Sequence, residues 1–404
     1  MLYPRGFSKD FGGKNLLARK SAHPQEAKGL KVAFVHDWLV SYRGGEKVLN
    51  ALFELFPQAD IHVHTLFHEP GSVPGPIEQV PVHTSFLDGP WARKHYRMFL
   101  PLFPMAVHSL SLRGYSYDLV ISSSHCVAKG IPVPKGVPHL CYIHAPLRYM
   151  WDRYDDYFGK GRASLPMRMA AAALRPWLQR WDVKSARKVT RFVANSQHVA
   201  RQVEERYGQK ANVVYPPVDL ERFLPLPLES AGQGGYFLWF GALAPYKRLD
   251  LALEAFGRLG LPLWVAGSGQ METRLRKNLP DNIRWLGQVP DEEVPALLHG
   301  ARALVFPGEE DFGMTPVEAQ ACGRPVIALG RGGALETVTA KTGLFFPEPT
   351  VACLEEAVRS FAEFEKRFSP KDARENARQF SQERFLQGMR AELKALKEPG
   401  KTES

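Results

Sequence analysis

The sequence has few of the features that mark secreted, membrane-spanning or disulfide-bonded proteins. None of the apolar runs in its 404 residues approaches the ~18 residues that a helix needs to span a bilayer. Residues 1–29 are polar, basic and interrupted by glycine and proline, so a secretory signal is not expected there. The four cysteines show no paired spacing. They are therefore predicted to be reduced core residues of a cytosolic protein.

The net charge of +10 is unevenly distributed. Residues 1–29 contain six lysines and arginines against two acids, and residues 148–191 contain eleven against four. Aromatic and apolar side chains are interleaved with the second cluster, a mixture that suits an anionic membrane surface or a phosphorylated lipid. A solvated surface is the commonest alternative explanation. Charge alone would also permit nucleic-acid binding, although no nucleic-acid partner is expected.

Short apolar strands alternate with amphipathic helices along most of the chain, and the alternation is strict after residue 236. This order predicts two Rossmann-like, doubly wound parallel-sheet domains facing each other across a cleft. Ligands of such sheets bind outside the C-terminal ends of the strands. The predicted divisions are a basic, disordered leader at 1–29, a first domain at 30–223, a Pro/Gly-rich linker at 224–235, a second domain at 236–369, and a helix at about 370–396 that completes the first domain.

The segment from Glu310 to Glu318 carries the strongest functional signal. It follows the apolar run Ala303–Phe306 and leads into a predicted helix, with Thr315 as N-cap and Pro316 at the first helical position. Backbone N–H groups at a helix N-terminus bind anions. Carboxylates beside such a site indicate a polyhydroxylated ligand that carries phosphate, such as a nucleotide sugar. The alternative is structural, because Thr315 and Glu318 also have the spacing of a capping box.

Lys247 marks a second loop, which begins at Gly241 after a predicted strand. A lysine at the start of a helix opposes the helix dipole, so helix stability does not explain it. Pairing with a diphosphate explains it better, and a plain surface lysine is the alternative. Gly267 and the pair Gln288-Val289 lie in the loops after the next two strands, where a ligand could make main-chain contacts. Alone, these two loops are weak signals.

Polar motifs also follow the strands of the first domain. His36-Asp37-Trp38 and Gly44-Gly45-Glu46 come after the first strand, and His125 and His144 each follow a later strand. A lone histidine is as often structural as functional. Their shared position at strand ends is nevertheless what a cleft between the two sheets would require.

Together these motifs resemble the retaining nucleotide-sugar glycosyltransferases of the GT-B fold, of family 4 type. The resemblance covers about residues 30–396, and its most specific element is the pair Glu310 and Glu318 with Phe312-Gly313 between them. Among these enzymes the nearest likeness is to bacterial O-antigen and exopolysaccharide mannosyltransferases. Further matching motifs, in the expected order, are Asn195-Ser196, Val214-Tyr215-Pro216-Pro217-Val218-Asp219, Gly241 to Lys247 with Tyr246-Lys247-Arg248, and Gly332-Gly333.

The resemblance assigns roles residue by residue. Glu310 would contact sugar hydroxyls near the anomeric carbon, Glu318 the ribose hydroxyls, and Lys247 the departing nucleoside diphosphate. One of His125 and His144 would contact the donor sugar, and the sequence does not decide which. The first domain would bind the acceptor and present Gly44, Gly45 and Glu46 to the diphosphate. The remaining donor-binding residues are Phe312, Gly313, Met314, Arg248, Gly241, Gly267, Gln288 and Val289.

The implied activity is transfer of a hexose, with mannose from GDP-mannose favoured, in surface polysaccharide or lipopolysaccharide synthesis. The acceptor would be a glycan or a polyprenyl-diphosphate-linked glycan. The nucleotide sugar would be a co-substrate, with no permanently bound cofactor and no metal. Such an enzyme would be cytoplasmic and peripheral on the inner face of the cytoplasmic membrane. The alternatives are a UDP-sugar-dependent transferase, a glycosidase using Glu310 and Glu318, and a non-catalytic nucleotide-sugar-binding protein.

One position departs from the family pattern. Many relatives have an arginine directly after the glycine that opens the phosphate loop, whereas this chain has Ala242. Arg248 or Arg331 would then have to assist Lys247. The sequence also has no Asp-x-Asp motif, which favours a metal-independent mechanism in which fixed cations and helix dipoles stabilise the leaving group.

Overall fold

Two parallel β-sheets with helices packed on them make up the described chain. The computed structural model describes residues 29–112, 114–224, 227 and 231–397. Of the predicted leader only residue 29 is described, and residues 225, 226 and 228–230 of the predicted linker also lie outside the described ranges. The predicted domain boundaries therefore stay predictions.

The first sheet has seven strands, all parallel. Their order is β3-β2-β1-β4-β5-β6-β7, where the strands are β1 (Lys31–His36), β2 (Asp60–Thr65), β3 (Val82–Thr84), β4 (Leu119–Ser124), β5 (His139–Ile143), β6 (Arg191–Ala194) and β7 (Ala211–Val213). The central strands β4 and β5 are buried along their whole length, because a parallel sheet is covered on both faces.

Seven α-helices lie in the described part of this half of the chain. They are α1 (Gly44–Phe53), α2 (Pro90–His95), α3 (Phe103–Ser109), α4 (Tyr154–Phe158), α5 (Leu165–Ala186), α6 (Gln197–Tyr207) and α7 (Leu220–Phe223). Helix α6 shows how sequence sets their limits. The Ser196 hydroxyl accepts the N–H of Val199 at 3.1 Å, and Gly208, in the left-handed conformation, ends the helix.

The second sheet has six parallel strands in the order β10-β9-β8-β11-β12-β13. The strands are β8 (Phe237–Phe240), β9 (Leu263–Ala266), β10 (Ile283–Gly287), β11 (Ala303–Phe306), β12 (Val326–Leu329) and β13 (Gly343–Phe346). The helices are α8 (Leu249–Leu259), α9 (Glu272–Leu275), α10 (Val294–Gly300), α11 (Met314–Ala321), α12 (Ala334–Thr337), α13 (Val351–Arg367), α14 (Pro370–Ala377) and α15 (Gln382–Lys397). The predicted class, two doubly wound parallel-sheet units, is confirmed.

The last helix returns to the first sheet. In α15, Phe385 packs edge-on against Tyr142 of β5 at 5.7 Å between ring centroids, and Met389 is fully buried. Glu392 forms an ion pair with Arg191 of β6 at 2.5 Å. The C-terminal segment thereby ties the second half of the chain to the first. None of the described helices is long and apolar enough to cross a membrane.

Candidate active site

The acidic loop lies between β11 and α11, at the C-terminal edge of the second sheet. Helix α11 begins at Met314 and is preceded by Gly313 in the left-handed conformation (φ 85°), so the predicted N-cap at Thr315 is wrong. The glycine permits the turn into the helix earlier than the sequence pattern indicated. Thr315 therefore lies inside the helix, so Glu318 is not part of a capping box with it. Glu318 is instead a buried carboxyl on α11, and burial raises its pKa.

Lys247 and Glu310 are brought together across two loops. The Lys247 ammonium donates to the Glu310 carboxylate, and the two side chains are 13% and 17% exposed. Burial disfavours the charged amine, but the Glu310 carboxylate outweighs that effect and raises the pKa of Lys247. The site therefore holds a lysine cation at neutral pH, in surroundings where electrostatic interactions are stronger than in water.

Two glycines hold these loops in close contact. A Cβ at Gly308 would lie 2.6 Å from the Cα of Lys247, and a Cβ at Gly333 would lie 2.3 Å from the Cα of Phe312. The N–H of Gly333 also donates to the carbonyl of Glu310 at 2.8 Å. Any side chain at either glycine would push the loops apart. The Gly332-Gly333 motif thus has a packing role in positioning the acidic loop.

The other predicted donor-side loops lie at the same sheet edge. The N–H of Gly241 donates to the carbonyl of Ala266 at 3.1 Å, and the N–H of Gly267 donates to that of Gly287 at 2.6 Å. Backbone hydrogen bonds therefore join the loop after β8 to the end of β9, and the loop after β9 to the end of β10. Gln288 and Val289 follow directly, and Val289 packs on the apolar cluster that contains Phe312.

The first domain supplies the opposing wall. A Cβ at Gly44 would lie 2.9 Å from the sulfur of Met314, so the first turns of α1 and α11 face each other. Glu46 is buried and accepts the N–H of Arg43 at 2.9 Å, while its other oxygen lies 3.6 Å from Nε2 of His36. Burial alone would raise the pKa of Glu46, but the neighbouring His36 ring lowers it. Glu46 therefore supports the Gly44-Gly45 turn as a carboxylate.

Asp37 organises the loop that carries His125, a role that sequence analysis did not assign. Its fully buried carboxylate accepts four consecutive backbone N–H groups, from His125 to Ala128, at 2.6–2.9 Å. One oxygen also lies 3.2 Å from Nδ1 of the His125 ring. The sequence feature that could have indicated this role is the position of Asp37, an acid directly after an apolar strand and between His36 and Trp38.

His125 and His144 lie near each other, with ring centroids 6.3 Å apart. Nε2 of His144 is 2.8 Å from the Ser123 hydroxyl, and the His125 ring stands edge-on to Trp38 at 4.4 Å. Burial lowers the pKa of both histidines well below the ordinary value, so both rings are neutral at pH 7. Both follow the C-terminal ends of neighbouring strands, β4 and β5, and the choice between them as donor contact stays open.

The two domains touch directly at the acidic loop. Arg148 pairs with the carboxylate of Asp311 at 2.5 Å, and the Ser196 hydroxyl donates to the Asp311 carbonyl at 2.6 Å. Arg153 donates to the carbonyl of Glu309. Sequence analysis placed both arginines in a membrane-facing basic cluster, and for these two that interpretation is wrong because they are turned inward to the acidic loop.

Two family models match complementary parts of the chain. "Glycosyltransferase Family 4" matches residues 42–222, and "Glycosyl transferases group 1" matches residues 227–380. The first match covers strands β2 to β7 of the first sheet, and the second covers all six strands of the second sheet. The chain belongs to the GT-B glycosyltransferases. Because both descriptions name transferases, they disfavour the glycosidase alternative.

Curated relatives of this glycosyltransferase include mannosyltransferases. The chain is 31% identical over 177 residues to a "GDP-mannose-dependent monoacylated alpha-(1-6)-phosphatidylinositol monomannoside mannosyltransferase" of Corynebacterium glutamicum, covering 37% of this chain and 46% of that protein. It is 26% identical over 295 residues to the mouse "Alpha-1,3/1,6-mannosyltransferase ALG2", covering 64% and 68%. The chain spans 58%, 35% and 46% of the lengths of three curated glycosyltransferase relatives that it matches, so these matches do not fix its substrates.

Solved structures share the fold at low sequence identity. HepE from Anabaena, solved in complex with UDP-glucose, superposes with a TM-score of 0.63 at 19% identity, over 91% of this chain and all of that one. Sucrose-phosphate synthase from Thermosynechococcus elongatus gives 0.69 at 17% identity, over 91% and 99%. At these identities the likeness establishes the GT-B fold alone.

Not every predicted site residue of the glycosyltransferase joins the Lys247–Glu310 group. The Nε of Arg248 is bonded to Asp250 at 3.1 Å, and assistance of Lys247 by Arg248 stays a prediction. Glu336 of α12 was not predicted, yet its carboxylate accepts the N–H groups of Gln197 and His198 at 2.7 and 2.9 Å. It caps α6 of the opposite domain. Within the described residues, no group of three or more His, Cys, Asp or Glu side chains could hold a metal ion, and metal independence stays a prediction.

Proposed function

We propose that this glycosyltransferase moves a hexose from a nucleoside-diphosphate sugar to a glycan or lipid-linked acceptor with retention of anomeric configuration. The observation that carries the proposal is the partly buried Lys247–Glu310 pair, beside the contacts between the two domains. GDP-mannose is the favoured donor, since curated relatives include a GDP-mannose-dependent enzyme. Family membership makes the chain a transferase, and the donor, acceptor and stereochemistry are the proposal.

Lys247 would stabilise the leaving diphosphate. Its ammonium has three N–H donors and uses one on Glu310, so others can reach phosphate oxygens. Met314 begins the eight-residue helix α11, whose free N–H groups would add donors for the same charge. These groups are fixed before the reaction, which is how charge developing in a transition state is stabilised without reorganisation.

The two carboxyls would bind different ends of the donor. Glu310, held by Lys247, would accept from sugar hydroxyls next to the anomeric carbon. Glu318, buried on α11, would accept from the ribose hydroxyls. The main chain at Gln288 and Val289 would contact the base from the neighbouring loop.

The first domain would present the acceptor and close the sugar pocket. One of the neutral imidazoles of His125 and His144 would bond a donor hydroxyl, with Asp37 fixing the His125 loop. The acceptor hydroxyl would attack on the face that the diphosphate leaves, so configuration is retained. The proposed mechanism uses neither a bound metal ion nor a permanently bound cofactor.

A UDP-sugar donor is the second candidate, favoured by the likeness to HepE, which was solved with UDP-glucose. Transfer assays with GDP-mannose and UDP-glucose as parallel donors, and a bacterial membrane lipid extract as acceptor source, decide between them. NMR of the product gives the anomeric configuration. Transfer from GDP-mannose with retention is expected. An inverted product, or the absence of transfer from both donors, would contradict the proposal.

We further propose that the acceptor is carried on a polyprenyl diphosphate at the inner face of the cytoplasmic membrane, where the enzyme acts as a peripheral protein. The basic segment 148–191 supports this location, although Arg148 and Arg153 face inward. Extraction of the acceptor activity into organic solvent tests the lipid carrier. Acceptor activity found only in the aqueous phase would favour a soluble glycan.

A further inference from the structure

One face of the first domain exposes an unusual amount of large apolar side chains. It is formed by residues 86–109 and the outer side of α5, and is called the docking face below. Nine of the thirteen well-exposed large hydrophobic side chains in the described part of the chain lie there. They are Phe86, Trp91, Met98, Leu102, Met105, Leu165, Met167, Met169 and Trp177. Apolar patches of this kind mark interaction sites.

The two parts of the docking face are joined by a groove of about 550 Å³ between α3 and α5. Phe86 and Met105 line one side, and Trp177 and Trp181 line the other. Trp91 packs edge-on against Phe99 at 5.8 Å, which connects α2 to the rest of the surface. The groove and the Trp91–Phe99 contact therefore link parts of α2, α3 and α5 within this face.

The charge of the docking face is mainly positive. Residues 86–109 and 160–190 contain eleven lysines and arginines against two acids. Asp88 is paired with Arg93 at 2.8 Å, and Asp182 is fully buried. Lys94 lies on α2 and is exposed, as are Arg180 and Lys184 on α5. Trp177, Arg180 and Lys184 are three to seven residues apart and share one side of the helix. Apolar anchors beside cations match the interface of an anionic bilayer.

The inner side of α5 connects this face to the candidate active site. Asp182 pairs with Lys129 and accepts from Trp151 and Tyr207 at 2.8 Å. Lys129 also donates to the carbonyl of Cys126 at 3.0 Å, in the loop that Asp37 holds beside His125. The docking face is thus the outer surface of the helix that supports the acceptor-side loop.

We propose that the docking face binds the surface of an anionic lipid bilayer. Trp91, Met98 and Trp177 enter the interface, while Lys94 and Arg180 contact the headgroups. The inference rests on the proposed function in one respect, that the acceptor is lipid-linked. Binding of this face to the bilayer would bring a lipid-linked acceptor close to the first domain. Long-range attraction brings the protein to the surface, and burial of the apolar side chains retains it.

Vesicle co-sedimentation of the full-length protein, without donor or acceptor, tests the proposal. Vesicles of phosphatidylcholine alone are compared with vesicles that also contain phosphatidylglycerol, at low and high salt. Binding is expected only with the anionic lipid and should weaken in high salt. Lys94→Glu with Arg180→Glu should lower the partition coefficient at least about fivefold for each cation removed. Trp91→Ser with Trp177→Ser should weaken binding that remains at high salt.

Matched controls lie in the second domain, where Lys277→Glu and Phe345→Ser change exposed residues and should leave vesicle binding unchanged. Absence of binding to anionic vesicles, or full binding by both double variants, would overturn the proposal. A dimer in sedimentation velocity that the tryptophan variant abolishes would also overturn it, because a second copy would then cover the face. Nucleoside-diphosphate binding of the same variants is measured separately, so failure here is distinguishable from failure of the proposed function.

Discussion

At the scale of single residues, Lys247 carries most of the proposed chemistry. Lys247 is the last residue of a short 3-10 turn, Pro245–Lys247. Its side chain packs beside Gly241, where an added Cβ would lie 3.3 Å from the ammonium. Glu310 keeps it protonated despite burial. A lysine cation fixed in this way is already oriented when charge develops on a leaving phosphate.

Lys247→Ala should lower kcat ~100- to 1,000-fold, because removal of one preorganised donor typically costs that much. The effect on KM should be smaller, since the interaction strengthens in the transition state. Steady-state kinetics with the preferred donor measure both constants. Lys277→Ala, at an exposed lysine of the same domain, should be fully active. Full turnover by Lys247→Ala would remove this lysine from the site.

Buried neutral histidines should make the protein less stable in mild acid. Burial lowers the pKa of His139 to about 3, whereas the unfolded side chain titrates near the ordinary 6.5. Below that value the unfolded chain binds a proton that the folded chain does not, so stability falls as the pH drops. Each such histidine contributes a slope of about 1.4 kcal/mol per pH unit between the two pKa values.

His139→Asn removes one titrating group while keeping a side chain able to hydrogen-bond Ser122, which lies 2.8 Å from Nε2 of His139. Urea unfolding at pH 7 and pH 5.5 should show a smaller acid-induced loss of unfolding free energy in this variant than in the parent. Equal losses in the two proteins would refute a neutral buried His139.

At the scale of elements, the site depends on contacts between loops that sequence patterns do not describe. The apolar run Ala303–Phe306 predicts β11 to the residue, because it is short and has clear ends. The sequence pattern misplaces the start of α11, where Gly313 adopts a left-handed conformation that the next residues do not signal. Strand β13 and helix α13 were not predicted.

For the candidate site, too, the sequence indicates single residues but not the contacts between distant loops. Glu310, Lys247 and Gly333 could be selected from strand-end positions and family likeness. The role of Asp37 could not, because it depends on four N–H groups from a loop about ninety residues later in the sequence. Arg148 looked like surface charge because only the folded chain places Asp311 beside it.

Gly333→Ala should displace the acidic loop, since its Cβ would lie 2.3 Å from the Cα of Phe312. A shift of about 1 Å in positioning residues can cost ~100-fold in rate, so kcat/KM for the donor should fall by up to that factor. Gly330→Ala is the matched control, because its Cβ would find its nearest neighbour at 3.5 Å. Similar kinetics for the two variants would contradict the packing role of Gly333.

At the scale of the whole molecule, contacts across the cleft hold the two domains together. Asp311 is bound through its side chain by Arg148 and through its carbonyl by Ser196. A second contact between the domains is made by Glu336 of the second domain, which caps α6 of the first. The bonds of Arg148 and Glu336 are charge-assisted. The two bonds to Asp311 link the acidic loop directly to the domain that would bind the acceptor.

Removing two of these contacts should open the cleft. Arg148→Gln combined with Ser196→Ala is expected to increase the radius of gyration in small-angle X-ray scattering, because both bonds to Asp311 are lost. Arg258→Gln, which removes an exposed pair with Glu254, should leave it unchanged. An unaltered radius of gyration in the double variant would show that these contacts do not set the domain arrangement.

Thermal unfolding with added GDP, UDP or ADP tests most directly whether Lys247 lies in a nucleoside-diphosphate site. A nucleotide that binds the folded state alone raises the Tm by mass action. The expected result is a rise with GDP larger than with UDP or ADP, reduced in Lys247→Ala and retained in Lys277→Ala. No rise with any of the three nucleotides, or a full rise in Lys247→Ala, would contradict the account.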